Sequence, residues 1–165
     1  MLNSYLLKSI VFVMVISIFG NAAYAQSFDD LHGFELDQGL ADARKNASAR
    51  GWELKKSPTF PGEWIVSGTD FSLYTCDDKI TAVRVHKVGT LDDFALIVDE
   101  LQAKHGQPTT NMSTFMAGTI RISTIEASFK GKSSDIKVQL SSSDGKLGLS
   151  ANFISNLRCS NEAAR

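Results

Sequence analysis

The chain has 165 residues, 17 basic and 18 acidic side chains and a net charge of −1. A chain of this size buries about two-thirds of its unfolded surface, enough for one domain with its own core. The near-neutral balance argues against nucleic acid as a partner, because a phosphate-binding footprint needs clustered positive charge.

The N-terminus carries an address. Lys8 is the one charged residue before an apolar run from Ile10 to Phe19, broken only by Ser17. Ala23-Tyr24-Ala25 places small residues where a signal peptidase reads them. The pattern predicts a secretory signal peptide, residues 1–25, cleaved after Ala25, and a single domain from 26 to 165. The apolar run is shorter than the roughly 18 residues a membrane span needs. Removing Lys8 leaves 16 basic against 18 acidic residues, so the mature chain of 140 residues carries −2. No later segment is apolar enough to span a membrane, and the expected location is the periplasm or the exterior of a bacterium.

The lead-in Ser27 to His32 is polar, and the expectation is a solvated segment. Phe34-Glu35-Leu36 is expected as a short strand. Leu40, Ala43 and Ala47 recur at helical spacing, which predicts a helix from Gln38 to Arg50 with Gly51 as its stop. Pro58, Pro61 and Gly62 punctuate Trp52 to Trp64, so part of that stretch is read as loop, and Lys55-Lys56 as a solvated turn. Three extended runs follow: Glu63 to Ser67, Phe71 to Cys76, and Lys79 to His86. Gly68-Thr69-Asp70 and Asp77-Asp78 are turn signals between them.

The second helix is the best specified. Thr90 is an N-cap, Asp93 completes a capping box, and Asp92 and Asp93 suit the positive end of the helix dipole. Phe94, Ile97, Val98 and Leu101 form an apolar stripe, Gly106 can cap, and Pro108 prevents continuation. Gln107 to Thr114 is read as loop. Gly118 to Phe129 changes phase between Ile122 and Ile125, which predicts a bulge near Ser123-Thr124. Ile136 to Leu140 and Leu147 to Phe153 alternate cleanly around Asp144-Gly145, a hairpin signal. The order predicts an α+β domain: an antiparallel sheet with two helices on one face, helix–three strands twice.

Chemistry-bearing motifs are sparse. The sequence has no GxSxG, HExxH, Walker or GxGxxG match. Ser134 to Lys137 and Ser143 to Lys146 spell SxxK, but in a strand and a turn rather than on the helix that motif needs. His32, His86 and His105 are far apart, so no catalytic set, metal site or cofactor is expected. Cys76 and Cys159 are the only cysteines. Export and an even count favour a disulfide between them. The chain-entropy treatment assigns such a loop about 4–5 kcal/mol. A nucleophilic thiolate or a metal ligand is the alternative for Cys76, although Asp77 and Asp78 beside it disfavour the thiolate. Trp52, Phe60 and Trp64 are the partner-binding candidates, as aromatics around a Pro-rich loop; the other reading is that they cover the core.

Phe34-Glu35-Leu36-Asp37-Gln38-Gly39-Leu40-Ala41-Asp42-Ala43 and Leu101-Gln102-Ala103-Lys104-His105-Gly106-Gln107-Pro108 give a Gly-led helix start and an L-x-x-K-x-G-x-P helix exit. With the element order, these make the chain resemble small bacterial envelope proteins of the BamE and β-lactamase-inhibitor-like group. That resemblance carries no functional residue across. The BamE branch is usually lipidated, and here no cysteine follows the cleavage point. The reading is an exported, non-enzymatic module that binds another protein, as an inhibitor or envelope component. The alternatives are a small-ligand carrier or hydrolase, with a cleft near His86, and a structural envelope protein.

Overall fold

The alternating runs pair into one antiparallel sheet, and the two helices pack on it. In chain order the elements are α1 (Leu40–Ala49), β1 (Glu53–Lys56), β2 (Glu63–Ser67), β3 (Phe71–Cys76) and β4 (Lys79–Lys87). Then come α2 (Leu91–His105), β5 (Thr109–Ala117), β6 (Ile120–Lys130), β7 (Ser134–Ser143) and β8 (Lys146–Ser155). The spatial order is β1-β2-β3-β4-β8-β7-β6-β5. The computed structural model describes residues 31–157, so the expected signal peptide and Cys159 lie outside the described residues.

This architecture corrects the expected fold class. The chain is sheet-dominated, with eight strands against two helices, and four strands follow each helix rather than three. The two extra strands are β1 and β5. β1 is only four residues long and mostly charged, and β5 is exposed along its whole length. Neither shows the apolar alternation that marks a half-buried strand. Lys55 and Lys56 therefore lie in a strand, not a turn.

Register separates two faces. Val66, Leu73, Val83, Phe153, Ile136 and Phe129 follow one another across six strands on the buried face. Both helices join that core, α1 through Ala43 and Ala47, α2 through Phe94, Ile97 and Leu101. Alanines let α1 approach closely. It ends in a Schellman arrangement: Gly51 N–H donates to the Ser48 carbonyl and Trp52 N–H to the Ala47 carbonyl. Gly51, at φ 75°, supplies the left-handed turn this requires. α2 keeps its expected caps, including the reciprocal Thr90–Asp93 capping box and Gly106 at the C-cap.

Three local expectations change. Phe34-Glu35-Leu36 is not a strand; Phe34 is 2% exposed in the core, and Asp37 N–H donates to the Ile80 carbonyl at 2.7 Å. His32 is half-buried rather than fully solvated, its ring meeting Phe71 and Trp52 edge-on at centroid distances of 4.8 and 5.9 Å. β6 has no bulge near Ser123-Thr124: its register to β5 and β7 is continuous. Ile120 and Ile122 simply face the other side of a strand that extends past the core. The register shift falls at Tyr74/Thr75 instead. Asp77-Asp78 and Asp144-Gly145 do form the expected turns, each with both φ values positive, the type I′ signature.

Candidate functional site

Opposite the core, the sheet presents a second face that neither helix covers. Register places Glu63 of β2, Tyr74 of β3, Arg84 and His86 of β4, and Ser150 and Asn152 of β8 there. These side chains form a linked row. The Tyr74 hydroxyl donates to Glu63 Oε1 at 2.6 Å. The Arg84 guanidinium lies 4.9 Å from the Tyr74 ring centroid, and Arg84 Nε donates to Asn152 Oδ1 at 2.7 Å. Four strands thus contribute one polar side chain each to a continuous chain of contacts.

Its electrostatics are self-consistent. Burial works to raise the Glu63 carboxyl's pKa, but hydrogen bonds from Tyr74, Ser57 and Ser72 and the Arg84 charge outweigh it and hold it below the ordinary carboxylate value. Burial and the bond to Glu63 push the Tyr74 phenol above its ordinary value, with Arg84 opposing. At neutral pH Glu63 is an acceptor and Tyr74 a neutral donor, so the row keeps one protonation pattern.

Beside it lies a shallow groove of about 360 Å³. Its walls include Glu63, Ile65, Asp70, Ser72, Arg84 and His86. The His86 side chain is exposed, and its backbone N–H donates to the Asp70 backbone carbonyl at 2.9 Å. Ser57 links the loop between β1 and β2 to this face: it hydrogen-bonds Glu63 and accepts the Phe60 N–H at 3.3 Å.

The three aromatic candidates occupy two environments. Trp64 points to the core side, where Nε1 donates to Thr75 Oγ1 at 3.1 Å and Arg44 of α1 lies 4.5 Å from its ring centroid. Trp52 stacks on Phe34 at 6.2 Å with Arg50 beyond it. Both are half-buried against the core. Of the three, Phe60 alone is exposed, at 55%, on the loop between β1 and β2. Cys76 ends β3 and is half-buried. Cys159 lies outside the described residues.

A second hollow of about 480 Å³ opens at the end of α2, between His105, Leu31 and Ser133. Its floor is core, from Phe34, Ile136 and Phe153, and at its rim Asp37 accepts a hydrogen bond from Ser155 Oγ at 2.6 Å. Among the described residues no group of three His, Cys, Asp or Glu side chains converges as a metal site, and no helix is long and apolar enough to cross a membrane.

The polar row escaped sequence reading because its partners are remote. Arg84 and Asn152 are 68 positions apart and meet only because β8 pairs with β4. The one available signal was the bulk of Tyr74 on the side opposite Leu73. No family model matches the chain, and no curated protein matches it.

Proposed function

We propose that this protein is an exported, non-enzymatic binding module whose partner is another protein, an enzyme it inhibits or an envelope component. The observation that carries the reading is the uncovered face of the sheet with Tyr74, Arg84 and His86 side by side on adjacent strands. Tyrosine and arginine are among the residues most enriched at binding hot spots. Here both are held in place by Glu63 and Asn152, so little rotamer freedom remains to be lost on binding. Phe60, on the adjoining loop, extends that surface, and Trp52 and Trp64 support it from the core side. Export is supported by the N-terminal pattern from Lys8 to Ala25.

A bridge between Cys76 and Cys159 belongs to the same proposal. The β3–β4 turn after Cys76 and the C-terminal end of β8 lie at the same end of the sheet, because Tyr74 and Ile154 both pair with Ala82. β8 therefore ends, at Ser155, on the Cys76 side of the sheet, four positions before Cys159 in the sequence.

The test is a Phe60→Ala, Arg84→Ala double variant, checked for its fold by circular dichroism. Envelope proteins captured by the wild type should fall about tenfold or more with the variant, the loss of one good hot spot. Unchanged capture by a folded variant sinks the surface assignment.

The groove beside His86 favours a second reading, a carrier of a small polar ligand. Native mass spectrometry of protein purified from the envelope separates the two. A bound low-mass species that disappears with His86→Ala favours the carrier, and bare protein favours the protein-binding module.

A further inference from the structure

The two edges of the sheet are built differently. β1, at one edge, has four residues, of which Glu53, Lys55 and Lys56 are charged; Lys55 pairs with Glu53 at 3.2 Å. Short, charged edges resist pairing with another chain. β5, at the other edge, has nine residues, Thr-Thr-Asn-Met-Ser-Thr-Phe-Met-Ala, with no charge and no proline, and all of them are exposed. Among the described residues, none of the usual edge protections is present along it.

The backbone groups that face outward follow from the turns. Ala117 and Ile120 flank the two-residue turn Gly118-Thr119, and a turn of that length closes on a hydrogen-bonded pair. Hydrogen-bonded pairs then recur every second residue along β5–β6. The β7–β8 hairpin, closed by Ser143↔Lys146 around Asp144-Gly145, gives the same phase when carried back through β7 and β6. Thr110, Met112, Thr114 and Met116 therefore direct their N–H and C=O groups away from β6.

We infer that β5 is an association edge whose occupant is the β5 of a second copy of this chain, paired antiparallel about a two-fold axis at Ser113. In that register Thr109 faces Ala117 of the second copy, Thr110 faces Met116 and Met112 faces Thr114. All nine residues are paired, the four outward residues of each copy meet one another, and about eight backbone hydrogen bonds form. Charge decides for this occupant. A strand without charge meets its own copy with no like-charge pair anywhere along it, whereas the β1 edge would set Glu53, Lys55 and Lys56 against an uncharged strand. Isologous pairing also closes on itself, giving a dimer with one continuous sixteen-stranded sheet rather than a fibre. The open face, with Tyr74 and Arg84, stays free in that dimer, so this inference is independent of the binding reading above.

The test is sedimentation equilibrium of the purified protein over a wide concentration range, for the wild type, Thr114→Pro and Met112→Lys. Proline at 114 removes an outward N–H and no bond to β6. Lysine at 112, 72% exposed, brings two like charges diagonally together across the axis. The wild type should approach twice the monomer mass. With an unchanged thermal transition, Thr114→Pro should associate about ten- to thirtyfold more weakly, matching two lost backbone bonds, and Met112→Lys about two- to fivefold more weakly, matching one like-charge pair. A wild type that stays monomeric, or two folded variants that dimerise as tightly as it does, overturns the inference. If one variant loses its fold, the other decides.

Discussion

The strands of the N-terminal half stop where the core stops, and those of the C-terminal half run past it. β1 to β3 have four to six residues, and the rings of Trp64 and Trp52 beside them are clamped by Arg44 of α1 and by Arg50 at its C-cap. β5 to β8 have nine to eleven, while α2 covers them with buried Phe94, Ile97 and Leu101 and half-buried Val98. Beyond that cover, Met112, Phe115, Met116, Ile120 and Leu147 are exposed. The difference teaches that helix placement sets how much sheet is core. Strand length beyond the helix yields surface, and uncharged surface on an edge is where other chains pair.

Four changes break or sharpen this contrast. The largest effect is expected at Leu101, which is fully buried between α2 and the sheet. Leu101→Ala should cost about 2–5 kcal/mol in urea unfolding. Met116→Ala, in the overshoot, should stay within about 0.5 kcal/mol. Equal losses at both would erase the distinction between core and overshoot.

Next is the proposed bridge. Unreduced protein should weigh two hydrogens less than the dithiol, and Cys76→Ser should lower stability by about 2–4 kcal/mol. Two free thiols by mass would remove it from the account.

Third is the acid response of the open face. Glu63 has a lowered pKa in the folded protein, so its contribution is present above the unfolded value and disappears as pH falls through the folded one. Stability should therefore drop on the acidic side of the ordinary carboxylate range. Tyr74→Phe removes the leading hydrogen bond, worth about 1.5–3 kcal/mol for a charged acceptor in a water-poor site and less here where Arg84 shares the charge. The acid limb of the stability profile should then be shallower, and an unaltered limb would show that Glu63 owes its acidity to other groups.

The smallest change is Thr90→Ala, which deletes the capping box of α2. It should cost about 1 kcal/mol and leave the exposed tip of β5–β6 unaffected. A larger loss would mean that α2 covers more sheet than its buried residues show.

Legibility in the sequence followed physical locality. α2 was readable because its caps and stripe are contained in nineteen consecutive residues, Thr90 to Pro108. The Asp77-Asp78 and Asp144-Gly145 turns were readable for the same reason. β5 was not: an edge strand beyond the core has no buried side, so the period-two signal is absent. β1 was masked by its lysines. Strand order was out of reach because β4 and β8 join across the length of the chain. The polar row went with it, since Glu63–Tyr74 and Arg84–Asn152 exist only once that order is known. Of the aromatic candidates, sequence placed all three near one loop, and packing separated Phe60 from the two tryptophans.

The most direct test of an open, nine-residue edge is amide hydrogen exchange by NMR in dilute protein. Amides in the central strands β4, β8 and β7 should exchange slowest. In β5 the protection should alternate: Asn111, Ser113 and Phe115, bonded to β6, slower than Thr110, Met112, Thr114 and Met116. Uniform protection along β5, equal to that of β8, in a sample that sediments as monomer would contradict the account.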